Sequence, residues 1–299
     1  MKRAEDFLNL KFYKGQDTYS DGDVEERILE AVRSMDGPAE DLLKSNNDWA
    51  FLYHLSPIRE NLLEWYDFKE SGSLLEIGSG CGALTGLFCR KLNRVVGIDL
   101  SKRRSLINAY KNKAYDNLEI IVGNFTDIDI EEKFDYVTLI GVLEYSCYYV
   151  PAEDPFGEML RRAKDYLNPG GTLILAIENK YGLKYWAGAP EDHTGRPFEG
   201  ITGYQRTDRV RTFSRKGLEK LLRKSGFEEN LFFYPMPDYK LPREIFSEKR
   251  LPGPGDLRNL TVSYDRERFE TFDETQAFDE ICAEGEFPFF ANSFLVFCR

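Results

Sequence analysis

The spacing of apolar positions changes character along the chain. In VEERILEAVRSM (24–35), Val24, Ile28, Leu29 and Val32 fall on one face of a helix. Pro57 stands at a first-turn position and opens PIRENLLEWYDF, with Ile58, Leu62 and Leu63 behind it. Residues 1–70 therefore read as an N-terminal helical extension. From Ser73 short apolar runs alternate with amphipathic ones. Strands are predicted at 73–77, 94–99, 118–122, 134–140 and 172–178, and helices at 83–93, 101–115 and 155–167. Asn168-Pro169-Gly170-Gly171 is a strong stop to the last of these helices. Alternation of this kind predicts an α/β fold: a mostly parallel sheet with helices on both faces.

Beyond residue 178 the rhythm breaks. Residues 179–213 have little periodicity and many Gly, Pro and aromatic residues. A helix at 214–227 and a strand near 230–236 follow, then a second irregular stretch at 237–291 and a final strand at 293–299. Loops of this length are functional or disordered, and the aromatic content argues for order. The expected organisation is a domain over 71–299 whose insertions, 179–213 and 237–291, cap a substrate site. A cap favours a discrete small molecule over a polymer.

Composition narrows the classes. The 299 residues suffice for one large domain with insertions or two small ones. A net charge of -11 argues against non-specific nucleic-acid binding. Eight Lys/Arg between 206 and 224 run against that average. Their second half reads as a solvated helix face, while Arg206, Arg209 and Arg211 are candidates to meet a phosphate. No apolar run reaches about 18 residues, and the first residues lack a signal-peptide core. A cytoplasmic protein without a membrane span is expected. Five cysteines without a CxxC indicate buried thiols rather than a disulfide framework or a zinc knuckle. Two histidines, His54 and His193, exclude a multi-histidine metal site. A carboxylate-rich magnesium site stays open, and no metal is assigned.

The densest motif is EIGSGCGA at 76–83. Gly78-x-Gly80-x-x-Ala83 fits the dinucleotide fingerprint, and Asp99 ends the next strand 21 residues after Gly78, where an acid can accept both hydroxyls of a ribose. No Gly-Lys-Ser/Thr follows, so a Walker loop is not indicated. Glu76 ahead of the glycines would repel a pyrophosphate but suits an ammonium group. Gly82 opens room for a bulky tail without phosphate. Both favour S-adenosylmethionine (SAM) over NAD.

LLEIGSGCGALTGLF, VVGIDLS, IIVGNFTDI, KFDYVTLIGVLEYS and LNPGGTLILAIEN, taken in order, resemble the class I SAM-dependent methyltransferases over roughly 73–228. The final strand SFLVFCR fits that family's last strand. YHLSPIRENLLEWY and ENKYGLKYWAGAPEDHTG are similar to a bacterial subgroup associated with glycosyltransferases and surface-polysaccharide genes. The resemblance implies a Rossmann-like seven-stranded sheet of order 3-2-1-4-5-7-6 with strand 7 antiparallel. It also implies that Glu76, Gly78, Ser79, Gly80 and Gly82 line the methionine part of SAM. Asp99 would then hold the ribose, and Leu100, Asn124 and Phe125 would meet the adenine. Gly141, Val142 and Leu143 would back the methyl end.

Methyl transfer is an in-line displacement for which SAM itself supplies the activation. A hydroxyl acceptor gains from a general base. Candidates are Glu144 and Tyr145 after the fourth strand, Glu178 at the end of the fifth, and His193 in the first insertion. Tyr181, Tyr185 and Trp186 pack or stack on a sugar ring. The leading expectation is a SAM-dependent methyltransferase acting on a small molecule, with O-methylation of a sugar or nucleotide-sugar as its specific form. An RNA methyltransferase and a non-catalytic SAM-binding partner of a glycosyltransferase are the alternatives.

Overall fold

The computed structural model describes residues 3–17, 19–20, 22–35, 37–206, 209–260 and 268–299. Residues 207–208 of the basic stretch and 261–267 of the second insertion lie outside them. The chain divides into two compact units, Met1–Leu139 with Ala163–Leu173, and Ile140–Arg162 with Ile174–Arg299.

The first unit holds β1 (Leu8–Asn9), β2 (Ser73–Ile77), β3 (Arg94–Asp99), β4 (Leu118–Val122), nearly all of β5 (Phe134–Ile140) and the first half of β6 (Leu167–Glu178). The five strands run in the order β1-β4-β3-β2-β5, and each pairing is parallel. Leu74, Leu75, Val95, Ile120 and Val137 are fully buried, as expected where helices cover both faces of a parallel sheet. Each such side chain contributes about 1.5–3 kcal/mol on burial. β6 begins at Leu167, earlier than the expected Thr172, so the Asn-Pro-Gly-Gly stop lies inside the strand.

The N-terminal extension is part of this unit. Helix Asp23–Ser34 and helix Trp49–Leu55 bury Ile28, Leu29, Val32, Phe51 and Leu55 against Ile107 of helix Lys102–Lys111 and against Cys81 of the glycine turn. A buried ion pair, Arg104 to Glu25 at 2.8 Å, joins the same elements. Asp17 accepts hydrogen bonds from Ser101 Oγ and from the backbone N–H groups of Lys102 and Arg103, satisfying donors at the N-terminus of helix Lys102–Lys111. The extension was expected to be helical throughout, but Leu8–Asn9 adds a strand to the edge beside β4.

The second unit carries the second half of β6 with β7 (Asn230–Met236), β8 (Glu244–Ser247) and β9 (Ser293–Cys298), in the order β6-β9-β7-β8. β7 is antiparallel to both β8 and β9. Without β1 and β8, the first unit's run reads 3-2-1-4 and the second unit's reads 5-7-6, each as expected. The described strands number nine instead of seven, because an edge strand is added in each unit. Helix Arg215–Lys224 buries Leu218 and Leu222 and exposes Lys216, Lys220, Arg223 and Lys224, while Arg215 lies over the Phe232 ring.

Candidate functional site

In the first unit, β2 delivers Glu76 and the glycine turn. Gly78, Gly80 and Gly82 all have positive φ, at 73°, 53° and 74°, a backbone region costly for other residues. The turn is pinned to the end of β3: the N–H groups of Gly78 and Ser79 donate to Ile98 O at 2.8 and 3.0 Å. A side chain at Gly82 would meet Asn108 Oδ1 at 2.3 Å, so the room expected there for a cofactor tail is filled by Asn108. At Gly80 the nearest atom is a terminal nitrogen of Arg104, 3.9 Å away, and the backbone is open to approach. Ser79 Oγ is buried without a hydrogen-bond partner and lies close over Gly97.

Glu76 is buried. Thr85 Oγ1 donates to its Oε2 at 2.5 Å, Asn108 Nδ2 donates to Thr85 Oγ1, and Asn112 Nδ2 donates to Asn108 Oδ1. Burial pushes the Glu76 pKa up to about 8. Asp99 accepts the N–H of Gly80 at 2.8 Å on one oxygen and that of Ser101 at 2.9 Å on the other. It therefore braces the turn, and a ribose would have to share its remaining lone pairs. Burial raises its pKa.

Leu100 is half-buried. Asn124, expected to meet the adenine, accepts the Thr126 N–H on its Oδ1 and caps a short turn. Phe125 is buried and tilted against Tyr166, with ring centroids 5.7 Å apart, rather than presenting an open face.

The second unit gathers a different set. Gly141 has φ 68°, and a side chain there would meet Tyr239 Oη at 2.8 Å. Val142 is half-buried and Leu143 fully buried. Glu144, Glu178 and His193 come together: Nε2 of His193 lies 3.6 Å from Glu144 Oε1 and 3.8 Å from Glu178 Oε2. One ligand atom from each residue can be chosen so that all three lie within 4.8 Å of one another. The Tyr145 ring stands edge-on to the imidazole with centroids 5.2 Å apart. The structure thus brings Glu144, Tyr145, Glu178 and His193 to one place.

Four residues of this cluster carried no sequence signal. Glu191 Oε1 accepts from His193 Nδ1 at 2.8 Å, and its Oε2 accepts the backbone N–H groups of His193 and Thr194. Lys240 Nζ lies 3.0 Å from Glu178 Oε1 and 2.6 Å from Asp192 Oδ1. Lys184 pairs with Asp192 at 3.0 Å. Tyr239 donates to Glu178 Oε1 at 3.3 Å. These bonds tie the first insertion to the second, and all lie in one unit. Asp192, the chain neighbour of His193, serves the lysines and Tyr185. Tyr185 is buried by that bond, which removes it as a stacking platform.

Burial opposes a charge on His193, but Glu178, Glu144 and Glu191 outweigh it and hold the imidazole pKa well above its ordinary value. Burial raises the Glu144 carboxyl. For Glu191 burial acts upward, but the bond from His193 prevails and its pKa falls.

Residues 75–173 match the protein-family model described as "Methyltransferase domain". Over this stretch the chain is similar to methyltransferase domains. The stretch runs from the strand bearing Glu76 to the middle of β6 and contains the glycine turn and Asp99. Among curated relatives, a ubiquinone biosynthesis O-methyltransferase of Coxiella burnetii is 29% identical over 133 residues, 43% of this chain and 53% of that protein. The mitochondrial ubiquinone biosynthesis O-methyltransferase of Dictyostelium discoideum is 27% identical over 133 residues, 39% of this chain and 38% of the relative. The chain thus spans about half or less of the length of these relatives. A solved SAM-dependent methyltransferase of Thermotoga maritima, described as a possible histamine N-methyltransferase, overlays with a TM-score of 0.48 at 17% identity, covering 87% of this chain and 97% of that one. No helix among the described residues is long and apolar enough to cross a membrane.

Proposed function

We propose that the chain transfers the methyl group of SAM to a small-molecule acceptor. The family match across the Glu76 turn and Asp99 carries this reading. The residues present fit the cofactor: a buried carboxylate for its ammonium, an open backbone at Gly80, and an acid at the end of β3. When bound, SAM supplies a methyl group activated on a sulfonium. The chain's residues then have to bind, orient and manage a proton.

Glu76 would hold the ammonium group and Asp99 the ribose. Gly141, Val142 and Leu143 are assigned to the methionine end. On the acceptor side, an imidazolium has no lone pair to take a proton. The base role therefore falls to Glu144, whose raised pKa makes it the stronger base, with Oε2 free of any hydrogen-bond partner. His193, clamped by Glu191, orients the cluster. The described parts of the insertions, 179–206, 209–213, 237–260 and 268–291, would supply the walls of the acceptor site.

The finer reading is O-methylation of a sugar or nucleotide-sugar beside a glycosyltransferase partner. It rests on the resemblance of YHLSPIRENLLEWY and ENKYGLKYWAGAPEDHTG to the polysaccharide-associated subgroup. O-methylation also agrees with the names of the ubiquinone relatives. The test is transfer of radiolabelled methyl from SAM across a panel of sugars, nucleotide-sugars, phenols, amines and RNA. Label on a sugar hydroxyl supports the full reading. Label on RNA or on an amine replaces the acceptor class, and calorimetric absence of SAM binding removes the function altogether.

A further inference from the structure

The geometry points to a divalent metal ion as the ligand of Glu144, Glu178 and His193. The three side chains come from the turn after β5, the end of β6 and the first insertion, and they converge within the second unit. All are almost wholly shielded from solvent, with side-chain exposures of 1%, 0% and 6%. Ligand atoms about 2.1 Å from a shared ion stand about 3.0–3.4 Å apart in octahedral and tetrahedral sites. The observed 3.6 and 3.8 Å from Nε2 to the two carboxylates are close to that spacing and too long for hydrogen bonds.

A second observation is independent of the clustering. Glu178 Oε2, fully buried and directed at His193, has no hydrogen-bond partner. Buried carboxylate oxygens are costly when left unpaired. In two of the three candidate ligands the other polar atom is already held. His193 Nδ1 is bound to Glu191, which leaves Nε2 facing the carboxylates. Glu178 Oε1 is bound to Tyr239 and Lys240, which leaves Oε2. Outer partners of this kind fix the orientation of metal ligands. The local charge agrees: Glu178, Asp192 and Asp238 pair with Lys184 or Lys240, and Glu144 and Glu191 with His193, so five carboxylates outnumber three cationic groups even with the imidazole charged. A ligand set in which carboxylate oxygens outnumber the single imidazole suits a divalent ion that prefers oxygen, such as Mn2+. An ion on Nε2 displaces the proton there to solvent. Taking one oxygen of Glu144 as ligand leaves the other as the proposed base. Ion binding itself does not depend on the methyl-transfer reading; only its role in turnover does.

The test is titration of the full chain, any purification tag removed, with Mn2+ alone, read by the electron paramagnetic resonance of the free ion and by calorimetry. One Mn2+ per chain is expected, weakened about tenfold or more in Glu178→Gln and Glu144→Gln. A nitrogen coupling from one imidazole in the pulsed spectrum is expected of the wild-type complex, and this readout stands even if a variant fails to fold. No saturable binding up to about 1 mM, binding unchanged in both folded variants, or a bound ion without the nitrogen coupling each overturns the inference. SAM binding is measured in parallel. A chain that binds SAM but not Mn2+ overturns the metal site and leaves the methyl-transfer reading standing. One that binds Mn2+ but not SAM does the reverse.

Discussion

His193 Nδ1 donates to Glu191 Oε1 at 2.8 Å, and the other oxygen of Glu191 accepts the backbone N–H groups of His193 and Thr194. One buried carboxylate therefore fixes both the ring and the loop that carries it. Tyr204 Oη adds a further donor at 3.2 Å. Glu191→Ala leaves the ring and the two backbone donors without their acceptor, while Tyr204 Oη keeps Thr212 Oγ1 at 2.6 Å. At about 1–3 kcal/mol for each buried donor left unsatisfied, the loss in urea-unfolding stability is expected to be at least about 3 kcal/mol. Glu191→Gln keeps an acceptor oxygen and should lose less. Equal stability of Glu191→Ala and the wild type would show that the clamp is not formed.

Glu76 gives a pH signature. Its carboxyl titrates near 8 in the folded chain and near the ordinary carboxyl range when unfolded. The folded state thus holds a proton that the unfolded state has lost. The associated stability is fully present below about pH 4.5 and is lost as pH rises through about 8. Glu76→Gln should remove that slope and raise the melting temperature at pH 8 by a few degrees, about what 1 kcal/mol produces. Thermal melts from pH 5 to 9 decide it.

Binding should show the same proton. An ammonium group beside Glu76 favours the carboxylate, so SAM or S-adenosylhomocysteine binding at pH 7 is expected to release a proton from it. Calorimetry in buffers of different ionisation enthalpy measures the release directly. Glu76→Gln should abolish it and weaken binding about tenfold or more. Proton release that persists in the variant would locate the group elsewhere.

Asp99 needs a test that separates bracing from recognition, because the N–H groups of Gly80 and Ser101 occupy it. Asp99→Ala weakens SAM binding about tenfold on either account. A SAM analogue lacking the ribose hydroxyls discriminates. It should bind the wild type about tenfold more weakly than SAM, and the variant no more weakly than SAM. Additive losses would leave Asp99 with the bracing role alone.

The glycines of the turn should differ from one another. Gly82→Ala combines positive φ with an overlap on Asn108 and is expected to cost about 1–3 kcal/mol or more. Gly80→Ala meets only ordinary van der Waals contacts, with the nearest atom 3.9 Å away, and should cost only the left-handed conformation, about 1–2 kcal/mol. Denaturant unfolding of both variants gives the order, and a reversed order would contradict the packing described.

The parallel strands were legible because each is a short apolar run bounded by helix starts, and the glycine turn because its spacing is local. The two extra edge strands were not. Leu8–Asn9 is too short to show a period, and Glu244–Ser247 lies within a stretch of irregular pattern. In the second unit, Glu144, Tyr145 and His193 were visible as polar residues in the expected loops. Their partners were hidden by distance along the chain: Lys240 lies 48 residues from Asp192, and Tyr239 lies 61 from Glu178. Glu191 is one acid among many until the fold turns it beneath the imidazole. Gly82 was read for the space it leaves, but a neighbouring helix takes that space.

Cys81 sits within the glycine turn, beneath the two N-terminal helices that bury it. Burial pushes its thiol pKa up to about 12, so it stays protonated and unreactive while those helices are docked. A thiol reagent can reach it only when they lift. The turn thereby carries its own clock: the rate at which Cys81 is labelled counts how often the N-terminal extension lets go.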